Sequence, residues 1–359
     1  MSQKVRISTL QFVLLIIGLL FSDYAIMNPA RAAMQDAWLA FIIGLLLGLC
    51  IITLYILIAK LHPGKTLVEI LRESFGNWIG TFLSLLYMWY FIHIASLVLR
   101  SFTEYMGNIT YVKTPQPILA IALILSVAYI TRKGFEVMGR MAEIFIPVLI
   151  ISVFLLTLVI LKEVDVRFFF PLLKNGIKPV FKVGWGIATF PFGELVILLM
   201  IFPYLNEKNH LAKATYISVL ISGLILFIIT VRDLLVIGPS LLNLVAFPPN
   251  FSSSLIPALI LEPLAAANMI IGGSFFLDVY IHSISLGIAQ IFHLENHKAF
   301  ILPICAVVVG VSAWLYESLS EMFRVAREVY PYYSFPFQVI IPLIVWIISF
   351  IKNRRQKSQ

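Results

Sequence analysis

Phe190-Pro191-Phe192-Gly193-Glu194 interrupts one long apolar run of the chain, and Phe21-Ser22-Asp23-Tyr24 interrupts another. Proline removes a backbone donor and glycine relaxes the dihedral limits. A helix running through residues 190–194 therefore opens, freeing carbonyls and amides beside Thr189, Phe190 and Glu194. Polar backbone at membrane depth is tolerated only where it is buried in protein or lines a cavity. Two such interruptions at matching places in two halves of a chain are the trace of an inverted-repeat transporter architecture, with a small-molecule site near the bilayer midplane.

The rest of the chain fits that frame. Its 359 residues are 60 % hydrophobic and 12 % charged, with a mean hydropathy of +0.98; soluble domains carry about a quarter charged residues. Apolar runs near the roughly 20-residue bilayer length fall at residues 9–27, 37–59, 78–99, 118–130, 141–161, 183–204, 214–237, 263–292, 299–316 and 335–351. The expected fold is an all-α membrane protein of ten transmembrane helices, in one domain over residues 1–359. Ten divides into five plus five, a first repeat over about residues 8–161 and a second over about 183–351. An odd number of helices per half inverts one repeat relative to the other. The fourth segment reads short, and the eighth is long enough to need tilt.

The net charge of +8 does not point to nucleic acid, because the basic residues are scattered through connections and the tail Lys352-Asn353-Arg354-Arg355-Gln356-Lys357. Their bias places both termini in the cytoplasm. The exception is the connection 162–182, whose Phe168-Phe169-Phe170-Pro171 suggests an element lying on the outer membrane face. Stretches 66–75 and 317–330 read as amphipathic surface helices, one on each side. Ala30-Arg31-Ala32 mimics a signal-peptidase site, but further spans follow at once, so the first segment is expected to be an uncleaved helix. Cys50 and Cys305 each lie in an apolar run without a spaced Cys or His partner, so neither a disulfide nor a metal site is expected. No cofactor is implied.

Candidate site residues follow from the interruptions. Asp23 costs about 2.5 to 3.5 kcal/mol at membrane depth unless it faces water or a partner; alternatively the helix ends early and Asp23 marks its outer boundary, leaving Gly18 and Ser22 as the places where backbone approaches a ligand. At the second break, amides at a half-helix N-terminus suit a carboxylate and the facing carbonyls suit an ammonium. An α-amino acid offers both groups; a simple proline kink with Glu194 paired elsewhere is the plainer alternative. In the eighth segment Ser274, Asp278 and His282 recur at one-turn spacing, either as a proton or ligand site or as a polar pair that holds helices together. Tyr87, Tyr90 and His93 form an aromatic stripe in the third segment. Arg232-Asp233 reads as structural. No nucleophile elbow, phosphate-binding glycine loop, zinc-spaced histidine set or catalytic carboxylate pair occurs, so the chain is not expected to be an enzyme.

Several local patterns together resemble the B subunits of bacterial spore germinant receptors, the endospore germination family within the amino acid, polyamine and organocation superfamily. They are Asp36-Ala37-Trp38, Phe75-Gly76-Asn77-Trp78-Ile79-Gly80, Phe170-Pro171-Leu172-Leu173-Lys174-Asn175-Gly176-Ile177-Lys178-Pro179 and Phe192-Gly193-Glu194. The resemblance covers nearly the whole chain. It implies a leucine-transporter-like fold, residence in the spore inner membrane, assembly with a larger A subunit and a lipoprotein C subunit, and sensing of a nutrient germinant, commonly an amino acid. By position in that pattern, Ser22, Asp23, Tyr24 and Phe190 to Glu194 (with Phe192 and Gly193 among them) fall at the germinant pocket, with Tyr90, His93, Ser274 and Asp278 on its other walls; Thr189 joins them as the residue beside the opened backbone. The first break is richer in bulky residues than the family pattern, and the eighth segment lacks a tryptophan near its start. Asp23 beside the pocket would repel a ligand carboxylate or select a cationic group. The reading from a different class is a proton- or sodium-coupled amino acid transporter with the same fold.

Overall fold

A computed structural model describes residues 6–22, 24–255 and 262–357; Asp23 lies outside the described residues. Every described regular element is helical, apart from one backbone bridge between Ile7 and Leu205. The ten spans are α1 (Thr9–Phe21), α2 (Ala37–Leu61), α3 (Leu67–Tyr105), α4 (Gln116–Lys133), α5 (Phe135–Ile160), α6 (Ile177–Thr189), α7 (Leu211–Ile237), α8 (Glu262–Ile291), α9 (Ile301–Trp314) and α10 (Ile341–Lys357). Among the described residues nine helices are long and apolar enough to cross a membrane, and α1, of 13 residues, is the shorter apolar tenth.

Local chemistry sets the helix limits. Ser8 and Gln11 form a capping box at the start of α1, and Thr66 and Glu69 form one at the start of α3, each satisfying orphan amides of a first turn. Gly76, at φ 79°, bends α3 into a surface helix over residues 67–75 and the span proper, a conformation that a residue with a side chain rarely adopts. The other amphipathic stretch folds as Leu319–Glu328, which seats Met322 against Met27 and Tyr316. Within 162–182 a turn at Val166–Phe169 docks Phe169 edge-on against Trp38. The fourth span is longer than its apolar run, because Gln116, Arg132 and Lys133 extend a helix whose backbone bonds do not depend on hydropathy.

The packing follows the repeat. Helix α1 packs on α7 as α2 packs on α6, the exchange expected when the first and second helices of one half take the place of the sixth and seventh. Likewise α3 meets α9 as α8 meets α4, and α3 with α8 forms a pair of its own. Lipid supplies no hydrophobic drive between helices, so close backbone approach carries these contacts. At the α2–α6 crossing a Cβ on Gly184 would come within 2.7 Å of Ile43 and 3.1 Å of the Ala40 carbonyl, and one on Gly44 would overlap Ile187. Two paired glycines therefore set how near α2 lies to the break in α6.

Candidate functional site

Helix α6 ends at Thr189. Phe190 is extended (φ −135°, ψ 112°), and the chain resumes after Pro191 as a tight helical turn over Phe192–Ile197. The carbonyls this opening frees are taken by side chains of two other spans and of the segment leading into α10. Gln338 Nε2 donates to the Thr189 carbonyl (3.0 Å) and to Tyr90 Oη (2.8 Å). Tyr55 Oη, on α2, lies 3.0 Å from the Gly193 carbonyl and 2.8 Å from the Gln338 carbonyl. Tyr280, on α8, donates to the Glu194 carbonyl at 2.9 Å, and the Tyr330 hydroxyl donates to Glu194 Oε1. Glu194 is 4 % exposed.

A second distortion faces this one. Between Tyr330–Phe335 and α10 the chain makes a π-helical turn over Pro336–Ile340, which frees carbonyls that Tyr87 takes at Phe337 (2.7 Å) and Tyr55 takes at Gln338. Tyr90 stacks on Phe337 with ring centroids 4.4 Å apart, and Tyr333 bonds His93 Nδ1 at 2.6 Å. The site is thus a phenol-lined cage between two irregular segments, held by α2, α3 and α8.

Hydrogen-bond arithmetic leaves the cage short of donors. A phenol carries one proton, so Tyr55 serves only one of its two carbonyls at a time. Gln338 spends its amide hydrogens on Thr189 and Tyr90, and its Oε1, fully buried, has no hydrogen-bond partner among the described residues. The Thr189 carbonyl accepts only from an NH₂ group, which fixes the orientation of the Gln338 amide. Glu194 already accepts from Tyr330 and is not part of this shortfall. Surplus buried acceptors are costly, and a ligand rich in N–H donors relieves them.

The two breaks meet. Helix α1 ends at Ser22 (φ −41°, ψ −96°), whose hydroxyl turns back to the Leu19 carbonyl at 3.1 Å. Tyr24, fully buried, places its ring 6.5 Å from Phe190, which lies 6.2 Å from Tyr330. Tyr24 also pairs with Thr230 (3.3 Å) on α7. Beside Phe21 a cavity of about 30 Å³, lined by Arg232, Asn268 and Tyr105 among others, has room for one water.

The structure brings Tyr90, His93, Thr189, Phe190, Gly193 and Glu194 together, with Tyr24 beside Phe190, whereas Ser22 packs against Gly272 on α8. It separates others. A Cβ on Gly18 would come within 2.9 Å of Ile146 and 3.1 Å of Phe275, so this glycine serves close packing of α1 on α5 and α8. Phe192 is fully buried and faces Gly48 and Phe41 on α2. Asp278 accepts from Thr131 on α4 at 2.7 Å; it lies two residues, about 200° around the helix, from Tyr280. Ser274 shares the Asp278 side. His282 bonds Tyr204 at 3.2 Å instead of Asp278, so spacing alone did not make that pair. Arg232 and Asp233 form a buried ion pair at 2.7 Å, with Asn28 (3.2 Å) and Ser252 (3.3 Å) on the same carboxylate, the structural role their adjacency suggested.

Tyr55, Tyr280, Tyr330, Tyr333 and Gln338 were not among the candidates. Gln338 was discoverable: it is a neutral polar residue inside an apolar segment, two positions after Pro336, and polar groups at membrane depth usually face a bundle interior. Nothing local in the sequence marks the tyrosines, whose partners lie far along the chain.

Ten spans, an opened first and sixth helix and a polar cage at the break define a leucine-transporter-like membrane protein. Among solved structures, MhsT in complex with L-phenylalanine superposes with a TM-score of 0.71 at 12 % identity, covering 96 % of this chain and 89 % of that one. A substrate-bound, outward-open Na⁺-coupled sialic acid symporter gives 0.70 at 13 %, covering 97 % and 89 %. By sequence the chain belongs to the spore germination protein family, which it matches over residues 6–322. Spore germination protein KB of Bacillus subtilis (strain 168) is 29 % identical over 366 residues, 99 % of this chain and 98 % of that one. Putative spore germination protein YfkT of the same organism is 24 % identical over 331 residues, covering 89 % and 88 %.

Proposed function

We propose that this chain is the ligand-sensing membrane subunit of a spore germinant receptor, taking an amino acid at the α6 break and passing the bound state to A and C subunits in the spore inner membrane, with both termini cytoplasmic. One observation carries the reading: beside residues 189–194 the buried Gln338 Oε1 has no hydrogen-bond partner among the described residues, and the Gly193 and Gln338 carbonyls share the single Tyr55 proton. A primary ammonium brings three N–H groups to that deficit, and family membership supplies the germination context.

Sensing requires that the ligand favour one arrangement of the bundle. Inverting a 1:99 preference takes about 5.5 kcal/mol of differential affinity, and charge-assisted hydrogen bonds supply about 1.5 to 3 kcal/mol each, so a few suffice. The test is thermal stabilisation of the purified chain by a panel of L-amino acids, repeated with each amine acetylated and with Glu194→Gln. Stabilisation by a free amino acid that both changes abolish supports the reading. Equal stabilisation by the acetylated form sinks the ammonium assignment.

The second reading, an amino acid carrier coupled to protons or sodium, draws on the shared fold, since one structural relative is a Na⁺-coupled symporter. Asp23, Glu194, Asp278 or His282 would then handle the cation. Uptake of labelled substrate into proteoliposomes separates the two: sustained accumulation driven by an ion gradient establishes the carrier, whereas binding without accumulation leaves the sensor.

A further inference from the structure

Where the surface helix 67–75 turns at Gly76 into the α3 span lies a groove of about 510 Å³ lined by Arg72, Asn77, Trp78, Thr81, Phe82, Leu85 and His293. Trp78, Phe82 and Leu85 recur at i, i+4 and i+7 and so form one stripe along α3; they are 92 %, 61 % and 43 % exposed. Arg72 forms the groove's head. Its guanidinium donates to Thr81 Oγ1 (3.1 Å) and to the Gln290 and Ile291 carbonyls at the end of α8 (3.2 and 2.9 Å), and a guanidinium carries more N–H groups than these contacts use.

The charge balance at this elbow is positive. Among the described residues no carboxylate lies within ion-pairing distance of Arg72 or of Lys352. Lys352 spends its ammonium on the Glu73 and Ser74 carbonyls (2.9 and 3.2 Å), one turn from the bend. Glu73 is already paired with Lys65 at 2.7 Å. The groove thus joins a cation that meets only neutral oxygens, the Thr81 hydroxyl and the Gln290 and Ile291 carbonyls, to an exposed apolar stripe along α3 that begins with a tryptophan, a ring type that anchors at membrane interfaces.

We propose that this groove is a binding site for one anionic phospholipid, its phosphate against Arg72 beside Asn77 and an acyl chain along Trp78, Phe82 and Leu85. Basic pockets at the membrane surface recognise anionic headgroups in this way. The lipid would pin the surface helix to α3 and, through Arg72, to the last carbonyls of α8. The site stands independently of the germinant reading, since it shares no residue with the α6 cage.

The experiment is native mass spectrometry of the full chain with equimolar phosphatidylglycerol and phosphatidylcholine. Wild type retains phosphatidylglycerol in preference, and Arg72→Gln lowers that preference about fivefold, the worth of one basic residue at an anionic headgroup. Because Arg72 also caps α8, Asn77→Asp, at an exposed position, gives a second arm: its carboxylate repels the phosphate and lowers the preference without touching α8. Trp78→Ala lowers retention of both lipids and leaves their ratio unchanged. Equal retention of the two lipids by wild type, or a preference that survives both Arg72→Gln and Asn77→Asp, overturns the proposal. So does displacement of the lipid by excess glycerol 3-phosphate, which would make this a soluble-phosphate site.

Discussion

Replacing Tyr55 with phenylalanine removes one oxygen from the centre of the molecule and nothing else. The ring is fully buried on α2, so a phenyl group in its place would keep the packing. What goes is a proton shared between the Gly193 and Gln338 carbonyls, at 3.0 and 2.8 Å, the one described bridge from α2 to both irregular segments. A buried carbonyl left without a donor costs about 1 to 3 kcal/mol. Only one proton was present, so the loss counts once: about 2 kcal/mol, a lowering of the melting temperature by a few degrees in the unliganded protein. The response to an amine-bearing ligand moves the other way, because the carbonyls no longer compete for a phenol and are free to accept from an ammonium. Thermal melts of Tyr55→Phe and wild type, with and without the amino acid that stabilises wild type best, read both quantities. The reasoning fails if the variant melts like wild type, or if its ligand response disappears while its unliganded stability stays the same.

Other perturbations discriminate in different ways. A Cβ on Gly193 would overlap Gln338 Oε1 and Cδ, whereas one on Gly310 meets nothing within 4 Å; Gly193→Ala is expected to displace Gln338 from Thr189 and Tyr90 and to cost about 1 to 3 kcal/mol as overpacking, with Gly310→Ala within about 0.5 kcal/mol of wild type, and equal melting of the two variants would contradict the cage geometry. Asp278→Asn keeps a partner for Thr131 and lies off the break, so amino acid binding by titration should be unchanged, while a loss of tenfold or more would bring Asp278 back into the site. His62, between α2 and α3, sits 2.9 Å from Glu73 and 2.7 Å from Ser349, yet burial, the largest influence, holds its pKa below the ordinary value. Its neutral form is therefore favoured in the folded state, and stability should fall as pH drops below about 6.5, where the unfolded chain takes up the proton. His62→Gln should flatten that part of the melting-temperature profile; an identical slope in variant and wild type would remove His62 as its cause.

Apolar run length and the two interruptions sufficed to read ten helices in two halves, because a bilayer imposes a length and a polarity on each span that one segment must satisfy alone. The break at Phe190 to Glu194 was legible for the same reason: proline and glycine act through their own backbone. Pairings were not. Asp278 and His282 share a helix face at ideal spacing, but Thr131 on α4 and Tyr204 beyond the α6 break reach them first. Gly18 reads as a point of ligand approach and serves as a packing point, because its neighbours Ile146 and Phe275 belong to spans that no local pattern ties to α1.

The order of residues along the chain therefore dictates where backbone must come free in the membrane. Which groups answer it depends on how the spans pack: Tyr55, Tyr280, Tyr330 and Gln338 converge on residues 189–194 from α2, α8 and the segment before α10, with Tyr90 of α3 bonded to Gln338 behind them. A broken helix is visible in the residues that break it, because proline and glycine change the local backbone wherever they stand. The donors that satisfy it are ordinary side chains whose role exists only once distant spans are packed at hydrogen-bond distance.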